Sequence, residues 1–187
     1  MTRKSEGLFV AVVGPSGAGK DTLLDAARVH FAGRPGLHFV RRTVTRPAEA
    51  GGEDHLSVTP ARFAALSAEG AFAVSWQAHG LSYGVPEAEC RLLAEGGVVI
   101  GNGSRGALPA FARAFPALVV LNVTARPEIL AERLARRGRE TAGDIAARLA
   151  REQPIAASYR VLTVDNSGSL AEGKAAMMAA LESLLPG

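Results

Sequence analysis

The sequence predicts an α/β fold: a doubly wound parallel sheet with a small inserted subdomain and an arginine-rich lid. Three observations predict it. Short, β-branched apolar runs recur at residues 8–13, 98–100, 117–123 and 161–164, as fully buried parallel strands require. Segments with helical spacing alternate with these runs, the signature of strands joined by helical crossovers. The first run ends in Gly14-Pro15-Ser16-Gly17-Ala18-Gly19-Lys20-Asp21-Thr22, a glycine-rich turn that leads into a helix.

Leu8–Val13 reads as the first buried strand. The helix that follows, residues 20–31, places Leu23, Leu24, Ala27 and Phe31 on one side, and Gly33-Arg34-Pro35-Gly36 stops it. A second strand is expected over 38–44. From Thr45 to Pro86 the character changes to an inserted subdomain. It has a polar loop from Arg46 to His55, a short helix near 60–69, a strand over 72–76 and a loop through His79-Gly80 to Tyr83-Gly84. The core resumes with a helix near Glu87–Glu95 and a strand over 98–100. The loop Gly101-Asn102-Gly103-Ser104-Arg105-Gly106 leaves that strand's C-terminal end, where open parallel sheets bind ligands. A helix and the strand 117–123 follow. Helices are then expected over 126–137, ended by Gly138, and over 142–157. The tail holds a strand over 161–164, the turn and helix cap Asp165-Asn166-Ser167-Gly168, and a closing helix to Leu185. The expected organisation is one domain, 1–187, with core segments 1–44 and 87–187, an insertion over 45–86 and a lid over about 137–150.

The glycine-rich turn carries the clearest chemistry. Four residues separate Gly14 from Gly19 and Lys20 comes next, matching the phosphate-binding pattern G-x-x-x-x-G-K-[ST] at every position but the last. Asp21 stands there. Glycines let backbone N–H groups turn inward around a phosphate, and the helix adds its positive N-terminal end. Lys20 would supply a mobile charge to the β- and γ-phosphates. A nucleoside triphosphate is the expected ligand of residues 14–22.

Arginines form two groups, as phosphoryl transfer asks for, because the guanidinium fork binds phosphate oxygens bidentately and stays charged. Arg41, Arg42 and Arg46 flank the entrance to the insertion, with Arg42 and Arg46 expected on the phosphate side. Arg133, Arg136, Arg137, Arg139, Arg148 and Arg151 form the second group, and Arg133 and Arg137 share one helix face at i, i+4. A subset is expected to close as a lid over ATP; the rest are ordinary surface residues.

Bulk properties narrow the class. The chain has 187 residues, 48% of them hydrophobic, and a formal charge of +3. No Lys/Arg tract with interleaved aromatics appears, so no nucleic-acid partner is expected. The apolar run after the charged start is too short for a signal-peptide core or a membrane span, so no membrane partner is expected. One cysteine, Cys90, excludes an intramolecular disulfide and suits a reducing, cytoplasmic compartment. Oligomeric state is left open.

With these parts assembled, the chain resembles the guanylate kinase family of P-loop phosphotransferases over nearly its whole length. The matching residues are Gly14 to Lys20; Thr45-Arg46-Pro47 with Glu49, Gly52 and Asp54; and His79-Gly80 with Tyr83-Gly84. To these add Arg133-Leu134, Arg137-Gly138 with Glu140, Arg148-Leu149 and Asp165-Asn166. The departures are instructive. That family places an acid before Tyr-Gly to hold the guanine edge, and Phe72-Ala73-Val74-Ser75-Trp76-Gln77 stands here. Val85 replaces its Ser or Thr after Tyr-Gly, and His55 aligns with a tyrosine that helps hold acceptor phosphate. The acid expected after residues 98–100 is missing. A pocket stripped of such partners loses discrimination for the base. Taken with Gly-Lys-Asp-Thr, Thr-Arg-Pro-Ala, Trp-Gln-Ala-His-Gly-Leu-Ser-Tyr-Gly-Val-Pro and Asn-Gly-Ser-Arg, the chain resembles the ribose 1,5-bisphosphate phosphokinases of phosphonate catabolism.

The resemblance implies transfer of the γ-phosphoryl of ATP to the 1-phosphate of a sugar phosphate, ribose 1,5-bisphosphate, giving 5-phosphoribosyl 1-diphosphate. It implies that Lys20, Arg137 and Arg148 act on the transferring group, and that residues 14–22, Arg133 and Asn166 bind ATP. Arg42, Arg46 and His55 would meet acceptor phosphate, His79 and Tyr83 would line the pocket, and Asn102, Ser104 and Arg105 would bind the ribose and its 5-phosphate. Asp21 is expected to hold Mg²⁺ in place of the missing hydroxyl and acid. Trp76 reads equally well as core or ligand platform. The rival readings are a nucleoside monophosphate kinase with altered base choice and a non-catalytic, guanylate-kinase-like binding module.

Overall fold

The computed structural model describes residues 6–47, 54–136 and 154–185. Its main sheet has β1 (Leu8–Val13) at the centre, between β7 (Val98–Asn102) and β8 (Leu118–Thr124). β2 (Leu37–Phe39) flanks β7, β9 (Arg160–Asp165) flanks β8, and every pairing is parallel. Both faces of β1 are buried, which is why its apolar run is continuous. Val10 and Val12 pack with Leu23, Leu24 and Ala27 of α1 (Lys20–His30), Leu130 of α4 (Pro127–Arg136) and Met177 and Leu181 of α5 (Leu170–Glu182). Phe9, Ala11 and Val13 face the other way, onto Leu108 and Phe111 of α3 (Leu108–Ala114) and onto Phe115. Phe9 stacks on Phe115 with ring centroids 4.1 Å apart. Each such buried side chain stabilises the fold by about 1.5–3 kcal/mol.

A second sheet has the order β4-β3-β6-β5, from β3 (Thr43–Val44), β4 (Leu56–Ser57), β5 (Phe72–Ala78) and β6 (Leu81–Pro86). Val74 and Val85 join it to the core beneath α3. α2 (Pro60–Ala68) begins with Pro60 after Thr59, whose hydroxyl accepts from Arg62 N–H, and its Phe63 stacks on Phe72.

Several expectations change here. The single strand expected over 38–44 is two short strands in different sheets. Val40 N–H still bonds Ile100 in the main sheet, Thr43 already pairs with Gly84, and Arg41 and Arg42 carry the chain between them. Thr43 and Val44, expected in the core segment 1–44, therefore belong to the smaller sheet. Residues 81–84, expected as loop, are strand β6, because His79 (φ 52°) and Gly80 (φ 74°) close a tight hairpin. Glu87–Glu95 is helical as expected but of the 3₁₀ kind. Residues 154–157 are not helical, and the rest of the helix expected over 142–157 lies outside the described residues. The cap of α5 is Ser169, in a capping box with Glu172, one residue beyond the expected turn.

Candidate active site

The C-terminal edge of the main sheet gathers the chemistry. The loop after β1 takes positive φ at Gly14 (153°), Gly17 (88°) and Gly19 (86°). A Cβ on Gly14 would lie 2.1 Å from the Val123 carbonyl oxygen, and one on Gly19 would lie 2.5 Å from Asn166 Nδ2. Only glycine fits this loop against β8 and Asn166. Gly19 also begins α1 without a side-chain cap, which leaves the first N–H groups of the helix to a phosphate. Lys20 Nζ donates to the carbonyls of Gly14 (2.9 Å) and Pro15 (3.3 Å), holding the ammonium across the loop's mouth.

Two residues expected at the nucleotide, Asn166 and Arg133, bond this loop. Asn166 is buried and its amide donates to Ala18 O at 2.7 Å. Arg133 donates to Gly17 O (3.4 Å) and Asn166 O (2.9 Å). In this structure both side chains buttress the loop backbone. The tight fit of Asn166 between Gly19 and Gly173 explains its burial.

Asn102 ends β7 rather than lying in a loop, it is buried, and its Nδ2 donates to Asp21 Oδ1 at 3.0 Å. Gly101 before it accepts no side chain without moving Phe9, whose ring tip would sit 2.9 Å from a new Cβ. The space on that side of Gly101 is filled by Phe9, and Asp21 of α1 brings a carboxylate to the end of β7. Asp21 is a hard oxygen donor fixed at the phosphate loop, which suits Mg²⁺, an ion that keeps several waters and takes one or two carboxylates. Among the described residues no group of three or more His, Cys, Asp and Glu side chains could hold a metal.

Arg105 Nη2 donates to Asn122 Oδ1 at 3.1 Å, joining the turn after β7 to β8. Sequence reasoning missed Asn122, although a lone amide in the apolar strand LVVLNVT is a signal. Ser104 precedes the 3₁₀ turn Arg105–Ala107, and its carbonyl accepts from Ala107 N–H. His55 is buried against Arg46: its Nε2–H donates to Arg46 O (3.2 Å), and its Nδ1 accepts from Arg46 Nη2 (3.4 Å). Those two bonds fix the tautomer, since the carbonyl can only accept and the guanidinium can only donate. Arg46 Nε is buried with no acceptor among the described residues, so this guanidinium retains capacity for an anion. Arg42 lies over the Trp76 and Tyr83 rings. His79 sits exposed on the hairpin turn, while Tyr83 stacks on Trp76. Glu49, Gly52, Arg137, Gly138, Glu140, Arg148, Leu149 and the lid expected over about 137–150 lie outside the described residues.

A parallel sheet around a phosphate loop, with guanidinium and amide groups at the strand ends, defines a P-loop kinase. Solved structures agree on the fold. Guanylate kinase from Anaplasma phagocytophilum superposes with a TM-score of 0.68 over 98% of this chain and 89% of its own, at 19% identity. A gluconokinase from Sinorhizobium meliloti reaches 0.52 over 98% of this chain and 95% of its own, also at 19% identity. No family model matches the chain. Curated relatives do. Ribose 1,5-bisphosphate phosphokinase PhnN from Rhizobium etli is 54% identical over 96% of this chain and 91% of its own. The protein of the same name from Agrobacterium fabrum is 53% identical over 93% and 96%. The chain belongs to the ribose 1,5-bisphosphate phosphokinase family.

Proposed function

We propose that this chain phosphorylates ribose 1,5-bisphosphate with ATP, transferring the γ-phosphoryl group to the 1-phosphate and producing 5-phosphoribosyl 1-diphosphate. The relatives' names point to the activity, and one feature of this chain carries the choice of acceptor. β5, the strand paired with Tyr83, reads Phe72-Ala73-Val74-Ser75-Trp76-Gln77-Ala78 and has no acid to read a base edge. A site built from hydrogen-bonding guanidinium and amide groups suits a phosphorylated sugar.

The nucleophile is itself a phosphate oxygen, largely ionised at neutral pH because a phosphate monoester's second pKa is about 6. No general base is needed, and catalysis rests on in-line placement and on charge neutralisation. ATP, when bound, supplies the phosphoryl group, and Mg²⁺ supplies further neutralisation. Lys20 and the N–H groups that open α1 would hold the β- and γ-phosphates. Asp21, held by Asn102, would hold the metal. Arg42 and Arg46, the latter braced by His55, would hold acceptor phosphate, and Arg105 with Asn122 and Ser104 would hold the sugar and its 5-phosphate. Arg137 and Arg148 are proposed to close on the transferring group. Arg133 and Asn166 would act on ATP through the loop they support. A cytoplasmic location belongs to the same proposal; among the described residues no helix is long and apolar enough to cross a membrane.

Coupled assays with ribose 1,5-bisphosphate and GMP side by side test the acceptor. Preferential use of GMP would overturn it. Lys20→Ala should lower phosphotransfer by roughly 10²–10³-fold, as loss of one donor to the developing charge does elsewhere. Undiminished turnover in that variant would contradict the assigned site.

A further inference from the structure

Arg42 is only 8% exposed, and its guanidinium carbon lies 5.5 Å from the Trp76 ring centre and 5.0 Å from that of Tyr83. The two rings are tilted by only 10° and their centroids are 5.4 Å apart, so the three groups form a nearly equilateral triangle. Separate stretches of the smaller sheet build it. Arg42 immediately precedes β3, and Trp76 of β5 pairs in register with Tyr83 of β6, which in turn pairs with Val44 of β3. Trp76 is anchored from the main core as well, tilted against Phe111 of α3 at 5.5 Å.

This geometry constrains a guanidinium in a specific way. Ring quadrupoles attract the flat cation, while its N–H groups donate within its own plane. A cation seated on rings is held in place, so less is lost when its fork takes a bidentate acceptor such as phosphate. The same packing commits aromatic surface to Arg42, to the partner ring and to Phe111, surface that would otherwise stack a flat base.

We propose that Trp76 is a positioning residue for acceptor recognition: with Tyr83 it sets the Arg42 fork toward the acceptor phosphate, and by committing the ring faces it disfavours nucleobase acceptors. The inference rests on the proposed phosphotransfer to a sugar phosphate and deepens it.

Trp76 is the chain's sole tryptophan, so its emission reports on this triangle without interference. Titration of wild-type enzyme with ribose 1,5-bisphosphate, in the absence of ATP, should give a saturable change in emission. Trp76→Leu should raise KM for ribose 1,5-bisphosphate roughly tenfold, with kcat and KM for ATP within about twofold, and Trp76→Phe should recover most of the loss. An unchanged KM, or an equal fall in kcat with both KM values preserved, overturns the proposal. Should Trp76→Leu fail to fold, Arg42→Lys decides: it keeps the charge and removes the fork, so the half-saturation point of the Trp76 emission change should rise about tenfold. An unshifted titration overturns the proposal. Wild-type enzyme inactive on ribose 1,5-bisphosphate would instead sink the assigned reaction, so the two failures are distinguishable.

Discussion

Asn102 Nδ2 donates to Asp21 Oδ1 at 3.0 Å, tying the end of β7 to the first turn of α1 across 81 positions of sequence. The bond restrains the Asp21 carboxylate, and in the proposed metal site an amide partner of this kind tunes the ligand. Removing Asn102 (Asn102→Ala) should weaken metal binding about tenfold, and Asp21→Ala should weaken it further. Mn²⁺ binding followed by EPR reads this without turnover, and the Mg²⁺ dependence of the rate should shift in parallel. An Mg²⁺ titration in Asp21→Ala that matches wild type would remove Asp21 from the metal site.

The phosphate loop depends on glycine for both backbone and space. Gly19→Ala meets a left-handed φ of 86° and a Cβ 2.5 Å from the Asn166 amide, which is itself held by Ala18. Gly33 has φ 76°, but a methyl group added there would meet nothing within 4 Å. Gly33→Ala should therefore cost only the backbone strain, about 1–2 kcal/mol, and leave ATP affinity intact. Gly19→Ala should lower the melting temperature and also weaken ATP binding. Equal behaviour of the two variants in a nucleotide-binding titration would show that the Asn166 contact is unimportant.

Arg105 and Asn122 should act as a unit. Loss of a hydrogen bond to a charged group costs about 1.5–3 kcal/mol, so Arg105→Ala should raise KM for ribose 1,5-bisphosphate roughly tenfold or more. Asn122→Ala should reproduce part of that rise, and the double variant should fall short of the product of the singles. Strictly multiplicative effects would separate the two residues.

Burial pushes the Cys90 thiol up to about 12, with Glu87 and Glu89 adding in the same direction. The folded state therefore favours the neutral thiol. The resulting stability is complete below the unfolded thiol pKa of about 8.5 and is lost as pH rises toward the folded value. Native protein at pH 8 should resist Ellman's reagent and react fully once unfolded in denaturant. The melting temperature should decline between pH 8.5 and 11 less steeply in Cys90→Ala than in wild type. Rapid labelling of the native protein would contradict the burial.

Much of the fold is legible along the chain because it is local. Leu8–Val13 shows a strand buried on both faces, and Leu23, Leu24, Ala27 and Phe31 show the inward side of α1; all four are buried in the fold. The glycine spacing and Lys20 likewise mark the phosphate loop, since backbone geometry and chemistry there are set within a few residues. Two turns were less readable. His79 takes a left-handed φ that glycine and asparagine usually signal, which hid the hairpin and strand β6. The break at Arg41 and Arg42 has no turn residue at all, because the chain crosses between sheets while remaining extended enough to pair with both.

The candidate site divides the same way. Residue types and spacing determined by themselves that this chain carries a phosphate loop, arginines at 41, 42 and 46 and an aspartate where a hydroxyl is usual. Only the tertiary structure decided what several of those residues touch. In the folded chain Asn102 bonds Asp21, Asn166 and Arg133 bond the loop backbone or one another, and His55 bonds Arg46. Asn122 and the Arg42–Trp76–Tyr83 triangle emerged only from strands brought together in the folded chain. The reason is physical: a helix start or a glycine turn is specified by neighbours in sequence, whereas a buried amide or guanidinium takes its role from whichever acceptor, donor or ring the packing places beside it.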